Sequence, residues 1–167
     1  GSTNDITIAG NDLDEPAGLH FSDSRVTATP KPNAPNQFQV VVPPEVPEGL
    51  LDVRVVGRFG VSNPRAFAVG GRMELIAPAT NTAPANAFDL PLETTANGRI
   101  APNTAAWFRF AAEAGQRIIV RVDARQLDSR LVPDLIVSDA TGRELAVARR
   151  REWLDFTAPA AGSYLLK

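Results

Sequence analysis

The sequence predicts an all-β chain that folds as two tandem antiparallel β-sandwiches. Fourteen prolines and twelve glycines interrupt its 167 residues every few positions, so no stretch keeps the apolar repeat of an amphipathic helix. Between these breaks lie short runs rich in Val, Ile, Phe and Thr, in which apolar residues alternate with other residues. Such runs recur about every 8–12 residues with no helix-length segment between them, which is typical of sandwiches.

The first half carries three clear strands. Residues 37–42 place one Phe and two Val on the same face and stop at two consecutive prolines. Residues 51–55 alternate aliphatic residues with Asp and Arg, as a half-buried strand requires. The glycines at the two ends of residues 57–60 allow the chain to turn, and a last strand is predicted over residues 66–69.

A change in composition predicts the domain boundary. Residues 70–74 read Gly-Gly-Arg-Met-Glu, and residues 77–87 hold several Ala-Pro and Ala-Asn steps with no apolar period. We therefore predict a first domain over residues 1–70 and a second over residues 71–167.

The strand pattern resumes in the second half. Residues 107–110 and 118–122 both alternate, and the Ala-Gly-Gln at 114–116 is predicted to join them as a hairpin. Further strands are predicted over residues 135–137, 144–147, 154–156 and 164–166, with a tight turn at 139–142.

Composition also excludes several classes of function. The formal net charge is −2 without a clustered basic face, so no nucleic-acid partner is expected. The absence of cysteine excludes disulfides, thiolate metal sites and cysteine nucleophiles. Apolar runs are far shorter than the roughly 20 residues that span a bilayer, so no membrane span is expected. The first methionine is Met73, from which we expect a fragment or processed product of a larger protein.

Six segments of the second half carry a family likeness in their order and spacing: residues 97–100, 107–110, 114–117, 127–129, 139–142 and 156–164. Over about residues 74–167 the chain resembles the bacterial pre-peptidase C-terminal domain. The resemblance implies a jelly-roll-like sandwich, and a non-catalytic module of a secreted or surface protein. An extracellular, cell-surface or periplasmic location follows from it.

The first half is similar to the Ig-like modules of the transcription-factor-Ig type that precede such domains. The segments concerned are residues 6–10, 19–22, 52–55 and 60–67. This resemblance implies an Ig-like sandwich over residues 1–70 that lacks a first strand before Gly1. The open edge would need cover from the rest of the parent protein or from a partner.

Calcium is the metal to consider, because some members of the pre-peptidase family bind it through acidic residues. Those residues lie near the domain start and before the aromatic strand, where this chain has Ala-Pro-Ala-Thr-Asn-Thr at 77–82 and Asn-Thr-Ala-Ala at 103–106. Since Ca²⁺ prefers several carboxylate oxygens, we expect no cofactor and no inherited calcium site. Elsewhere, Asp12, Asp14 and Glu15 are candidate metal ligands at a sandwich tip, or a plain acidic turn.

Three adjacent arginines, Arg149, Arg150 and Arg151, replace residues that are often acidic in the family. They precede the strand that begins at Trp153, and guanidinium groups bind carboxylates and sulfates bidentately. These arginines and Trp153 are therefore candidate residues for binding a carboxylate or sulfate on a polysaccharide. The alternative is a solvated loop that neighbouring glutamates partly neutralise.

Trp107 is a further candidate ligand-binding residue. It is predicted to lie on the sheet face opposite Phe108 and Phe110, and an exposed tryptophan is a common platform for sugar stacking. Cover by the neighbouring module is the alternative.

Catalysis is not expected. His20 is the only histidine and is predicted to point outward from its strand, and no Gly-x-Ser-x-Gly motif is present. The sequence therefore predicts a non-catalytic, extracytoplasmic spacer or interaction module of a larger bacterial protein, whose partners are the other domains of that protein. The alternative is an adhesion module that binds a carbohydrate or a cell-surface protein.

Overall fold

The structure is a computed structural model that describes residues 1–11, 13 and 15–167. Strands make up 48% of the chain and helical turns 4%, which confirms the predicted all-β class. The chain divides into two compact units. Unit 1 comprises Gly1–Gly71 and Gln126–Asp128, and unit 2 comprises Arg72–Arg125 and Ser129–Lys167. Within the described residues, no helix is long and apolar enough to cross a membrane.

The described residues of unit 1 form seven strands in two antiparallel sheets. In chain order they are β1 (Ser2–Thr7), β2 (Pro16–Phe21), β3 (Thr27–Pro30), β4 (Gln37–Val42), β5 (Gly49–Gly57), β6 (Gly60–Val61) and β7 (Arg65–Val69). One sheet has the order β1-β4-β3. In the other, β5 pairs with β2, β6 and β7.

The core of unit 1 lies between these two sheets, as in a sandwich. The predicted inward face of β4 is buried, with Phe38, Val40 and Val42 packed together. The facing sheet contributes Phe21 and Phe67, whose ring centroids are 5.1 Å apart in an edge-to-face pair. The alternation predicted for residues 37–42 and 66–69 is therefore confirmed.

Unit 2 contains nine strands. They are β8 (Met73–Ile76), β9 (Phe88–Asp89), β10 (Thr94–Asn97), β11 (Phe108–Ala112), β12 (Arg117–Arg121), β13 (Asp134–Asp139), β14 (Glu144–Arg149), β15 (Trp153–Thr157) and β16 (Gly162–Leu166). A five-stranded sheet has the order β14-β13-β16-β11-β9, and β12 pairs with β15 in a separate two-stranded sheet. Strands β8 and β10 form a third sheet of unit 2, in which the two strands run parallel.

An aromatic cluster fills the core of unit 2. The Tyr164 ring stacks on Phe110 with centroids 5.7 Å apart and meets Phe156 edge to face at 5.2 Å. The Tyr164 hydroxyl donates to the Ala160 carbonyl oxygen at 2.5 Å and accepts from the Ala160 N–H at 3.3 Å. Fully buried Val137 packs in the same cluster. The core therefore joins the five-stranded sheet to the β12–β15 pair.

Two predicted details are wrong. The turn at residues 114–116 does not make a hairpin, because β11 pairs with β16 and β9 whereas β12 pairs with β15. The turn instead carries the chain from one sheet to the other, so that Phe110 and Ile118 enter the same core from two sheets. The sheets are also not wholly antiparallel, since β9 runs parallel to β11 and β10 to β8.

Candidate functional site

The outer face of the β12–β15 pair gathers exposed side chains of mixed chemistry. Strand alternation sends Ile118, Leu154 and Phe156 into the core, and the intervening residues therefore point outward. We call this surface the Trp153 face, which consists of Arg117, Ile119, Arg121, Trp153, Asp155 and Thr157. The antiparallel register sets Arg121 opposite Trp153 and Ile119 opposite Asp155.

Two large apolar side chains lie on this face. Trp153 is 52% exposed and Ile119 is 56% exposed, although both belong to strands whose other sides are buried. Exposed tryptophan presents a broad ring surface on which a planar or apolar ligand can stack. Because the strands hold its backbone in register with β12, Trp153 is fixed at a defined point of the sheet.

A bidentate ion pair crosses the same face. Arg117 donates from Nε to Asp155 Oδ1 at 2.9 Å and from Nη2 to Oδ2 at 2.6 Å. These hydrogen bonds lower the pKa of Asp155 and raise the pKa of Arg117. At the other end, Arg121 Nε donates to Asp123 Oδ1 at 2.5 Å. Both arginines of the Trp153 face are thus bound to carboxylates.

The arginine cluster forms the turn between β14 and β15, which we call the arginine turn (residues 149–151). Arg150 adopts a φ of +55°, and its backbone N–H donates to Asp134 Oδ1 at 2.8 Å. All three arginines are exposed. In the part of the chain that the structure describes, none of the three forms a salt bridge. Their guanidinium groups are therefore available to an anionic ligand.

A shallow groove of about 510 Å³ lies between the edges of β14 and β15. Asp155 and Thr157 line it from β15, and Glu144 of β14 and the preceding Arg143 line it from the other side. The tight turn beside it is built on Asp139, whose carboxylate accepts from the Thr141 hydroxyl and from backbone N–H groups. The hydrogen bond from Thr141 is the main cause of the lowered pKa of Asp139. The groove extends the polar part of the Trp153 face.

Trp107 lies elsewhere in unit 2. It precedes β11 in the five-stranded sheet, is half-buried, and has the Lys167 ammonium nitrogen 5.6 Å from its ring centroid. Its backbone N–H donates to the Asn81 carbonyl oxygen, and its own carbonyl accepts from Asn81 Nδ2. The structure thus places Trp107 in a network with the buried Asn81, whereas Trp153 begins β15 two residues after the arginine turn.

The two segments compared with the family's calcium site do meet in space. Together they line a pocket of about 280 Å³, with Ala79, Asn81 and Thr82 from one segment and Thr104 to Ala106 from the other. No carboxylate belongs to this lining, and most of the residues are alanine, threonine or isoleucine. Such a donor set suits Ca²⁺ poorly, since the ion prefers carboxylate oxygens.

Asp12 and Asp14 of the acidic candidate lie outside the described residues. Glu15 is exposed and has a φ of +52°. Among the residues that the structure describes, no three His, Asp or Glu side chains are grouped closely enough to hold a metal ion.

His20 is exposed on β2, opposite Arg54 of β5. This placement confirms that the imidazole points away from the core. The opposing residue is a cation, whereas a catalytic histidine requires an orienting acid and a nucleophile.

Sequence reasoning missed Arg117, Ile119, Arg121 and Asp155 as members of one surface. The signal for two of them was present, because alternation around the buried Ile118 already assigns Ile119 and Arg121 to the opposite side. The pairing of residues 117–121 with 153–157 could not be read from the sequence, since it joins segments more than thirty residues apart.

No family model and no curated protein sequence matches the chain. Among solved structures, the chain is similar to one described as Bacteroides ovatus mixed-linkage glucan utilization locus SGBP-B in complex with mixed-linkage heptasaccharide. The two are 12% identical and superpose with a TM-score of 0.32. The match covers 97% of this chain and 33% of the other, so this chain spans about a third of its length. A TM-score this low does not establish a common fold.

Proposed function

We propose that the chain is a non-catalytic, extracytoplasmic interaction module of a larger bacterial protein, and that the Trp153 face binds a glycan. The observation that carries this proposal is the exposure of Trp153 and Ile119 on one side of a strand pair whose other side is core. Trp153 and Ile119 together form an apolar patch on one face of a strand pair, and such a patch is more typical of an interaction surface than of a plain spacer.

The chemistry of the face suits a sugar. A pyranose ring has an apolar side that stacks on tryptophan, and hydroxyl groups at its edge that need donors and acceptors. Trp153 supplies the ring, while Asp155 and Thr157 follow on the same strand at two-residue intervals. The distance from Trp153 to Thr157 along the strand is about 13 Å, which accommodates a short oligosaccharide.

A non-catalytic role is supported by the distribution of reactive groups. The single histidine lies in unit 1 opposite Arg54, whereas the Trp153 face belongs to unit 2. The carboxylate on that face, Asp155, is tied to Arg117 and has a lowered pKa, so it stays ionised near neutral pH. An ionised, paired carboxylate is a poor general acid.

Location and parentage rest on the resemblance of residues 74–167 to the pre-peptidase C-terminal domain. That family occurs as a module of secreted and surface proteins, which makes neighbouring domains of the same protein further partners. A spacer function is what remains if the Trp153 face binds no glycan.

The test is affinity electrophoresis or calorimetry of the purified chain against a panel of neutral and acidic polysaccharides. We expect at least one to bind, and Trp153→Ala to weaken that binding by about tenfold or more, as for the loss of a stacked ring. Phe59→Ala is the matched control, because Phe59 is 66% exposed on unit 1 and lies outside the proposed face. Wild-type affinity in Trp153→Ala, or no binding across the panel, would contradict the proposal.

A further inference from the structure

We infer that the glycan is a uronate-bearing polysaccharide, whose carboxylates bind the guanidinium groups of the arginine turn while a sugar ring stacks on Trp153. This inference rests on the proposed function, and it adds the charge and the chemical class of the ligand. Three features of the structure support it.

The first feature is the pairing of charges. The eight salt bridges between described residues engage other cations, including both arginines of the Trp153 face. Arg117 is bound to Asp155 and Arg121 to Asp123. Among the described residues, by contrast, the three arginines of the arginine turn form no salt bridge. Planar guanidinium groups match the two oxygens of a carboxylate, and such bonds are stronger than neutral ones.

The second feature is that the backbone of the turn is fixed without its guanidinium groups. The Arg150 N–H is bound by Asp134, and Arg149 lies opposite Asp134 in the β13–β14 register. The positive φ of Arg150 is a conformation that glycine or asparagine adopts more readily than arginine. The side chains consequently start from an ordered backbone, which lowers the entropy lost when a ligand binds.

The third feature is continuity with the aromatic platform. Arg151 is two residues from Trp153, or about 7 Å along an extended chain. Between them, the Glu152 carbonyl oxygen accepts from the Val122 N–H at 2.7 Å, so the chain is already paired to β12 at this point. A sugar chain whose ring stacks on Trp153 can therefore reach the arginine turn at Arg151.

The local charge favours carboxylate over dense sulfate. Asp134 and Glu152 lie at the turn, so the excess of positive charge from the three arginines is small. A polymer with one carboxylate on each sugar matches this modest excess of positive charge. A heavily sulfated chain would bring more negative charge than the turn can neutralise, and Asp134 and Glu152 would repel it.

The experiment compares polygalacturonate with its methyl ester, which has the same backbone without the charge, in calorimetry with the whole chain. We expect the acid form to bind at least tenfold more tightly at low ionic strength, and the difference to shrink as salt is added. The combined variant Arg149→Gln, Arg150→Gln, Arg151→Gln should abolish the difference. The control variant Arg58→Gln, Arg125→Gln, Arg130→Gln changes net charge equally at other exposed positions and should preserve it.

The outcomes separate this inference from the proposed function. Equal binding of the acid and the ester, still sensitive to Trp153→Ala, would overturn the uronate inference and leave the glycan-binding face intact. Tighter binding of dextran sulfate than of polygalacturonate, lost in the arginine-turn variant, would also overturn it in favour of sulfate. Equal loss of binding in the two triple variants would show general charge attraction and overturn the assignment to the turn. Absence of all glycan binding would overturn both proposals.

Discussion

Replacing Tyr164 by phenylalanine removes one hydroxyl from the core of unit 2 and leaves its ring in place. That hydroxyl donates to the Ala160 carbonyl oxygen and accepts from the Ala160 N–H, so it closes the turn between β15 and β16. The 3.3 Å bond is long and contributes little beside the 2.5 Å bond. Since Ala160 is exposed, water can reach its freed backbone groups.

The expected loss of unfolding free energy is therefore that of one hydrogen bond, about 1 kcal/mol, rather than the larger penalty for stranding a buried polar group. For a domain of this size it lowers the melting temperature by about 4–8 °C. Tyr164→Ala also removes the ring from its contacts with Phe110 and Phe156, for which we expect about 3–5 kcal/mol.

Urea unfolding followed by tryptophan fluorescence measures these losses, because both tryptophans, Trp107 and Trp153, lie in unit 2. The slope of the unfolding free energy against urea concentration should not change, since the same surface is exposed on unfolding. If Tyr164→Phe lowers the unfolding free energy as much as Tyr164→Ala, the hydroxyl and not the ring provides the stability at Tyr164, which would refute the expected difference between the two variants. A variant indistinguishable from wild type would refute the hydrogen-bond contribution.

Three further predictions concern other parts of the chain. Phe38→Ala empties a site that is 1% exposed in the core of unit 1, and far-UV circular dichroism in urea should show a loss of about 3–5 kcal/mol. Gly142→Ala places a Cβ at a φ of +88° in the β13–β14 turn and should cost about 1 kcal/mol by tryptophan fluorescence. Hydrogen bonds from Arg25 lower the pKa of Asp23 from 3.8 to about 2. The ionised carboxylate therefore stabilises the folded state above about pH 4, and this stabilisation is lost as the pH falls towards 2. Asp23→Asn should remove this part of the acid dependence of the melting temperature.

The alternation of apolar residues was a sound guide to the core. Phe110, Leu154, Phe156, Tyr164 and their partners are buried as the period of two requires, because a strand with one face against a core exposes the other. Local chemistry also identified the Asp139 to Gly142 turn, where a glycine at positive φ and an aspartate that binds backbone N–H groups are both needed.

Local sequence signals did not indicate which strands pair with one another. The Ala-Gly-Gln turn at 114–116 suits a hairpin, yet it connects strands of two different sheets. A hairpin turn and a sheet-crossing turn use the same residues at this point, and the difference is decided by β15 and β16, which come forty residues later. The short parallel strand β9 has only two residues and left no pattern to detect.

The Trp153 face depends on this long-range pairing, and the core beneath it explains why it can be specific. Leu154 and Phe156 are buried, so a slip of β15 by one residue would turn Trp153 inward and expose both apolar side chains. Because such a slip would cost free energy, β15 keeps a single register in which Trp153 lies opposite Arg121 and Asp155 opposite Ile119. The core contacts on the buried side of β15 thus keep the ligand-stacking surface on its other side rigid. The sequence shows the alternation that makes this possible, but only the pairing of β12 with β15 brings the tryptophan, Ile119 and the Arg117–Asp155 ion pair onto one surface.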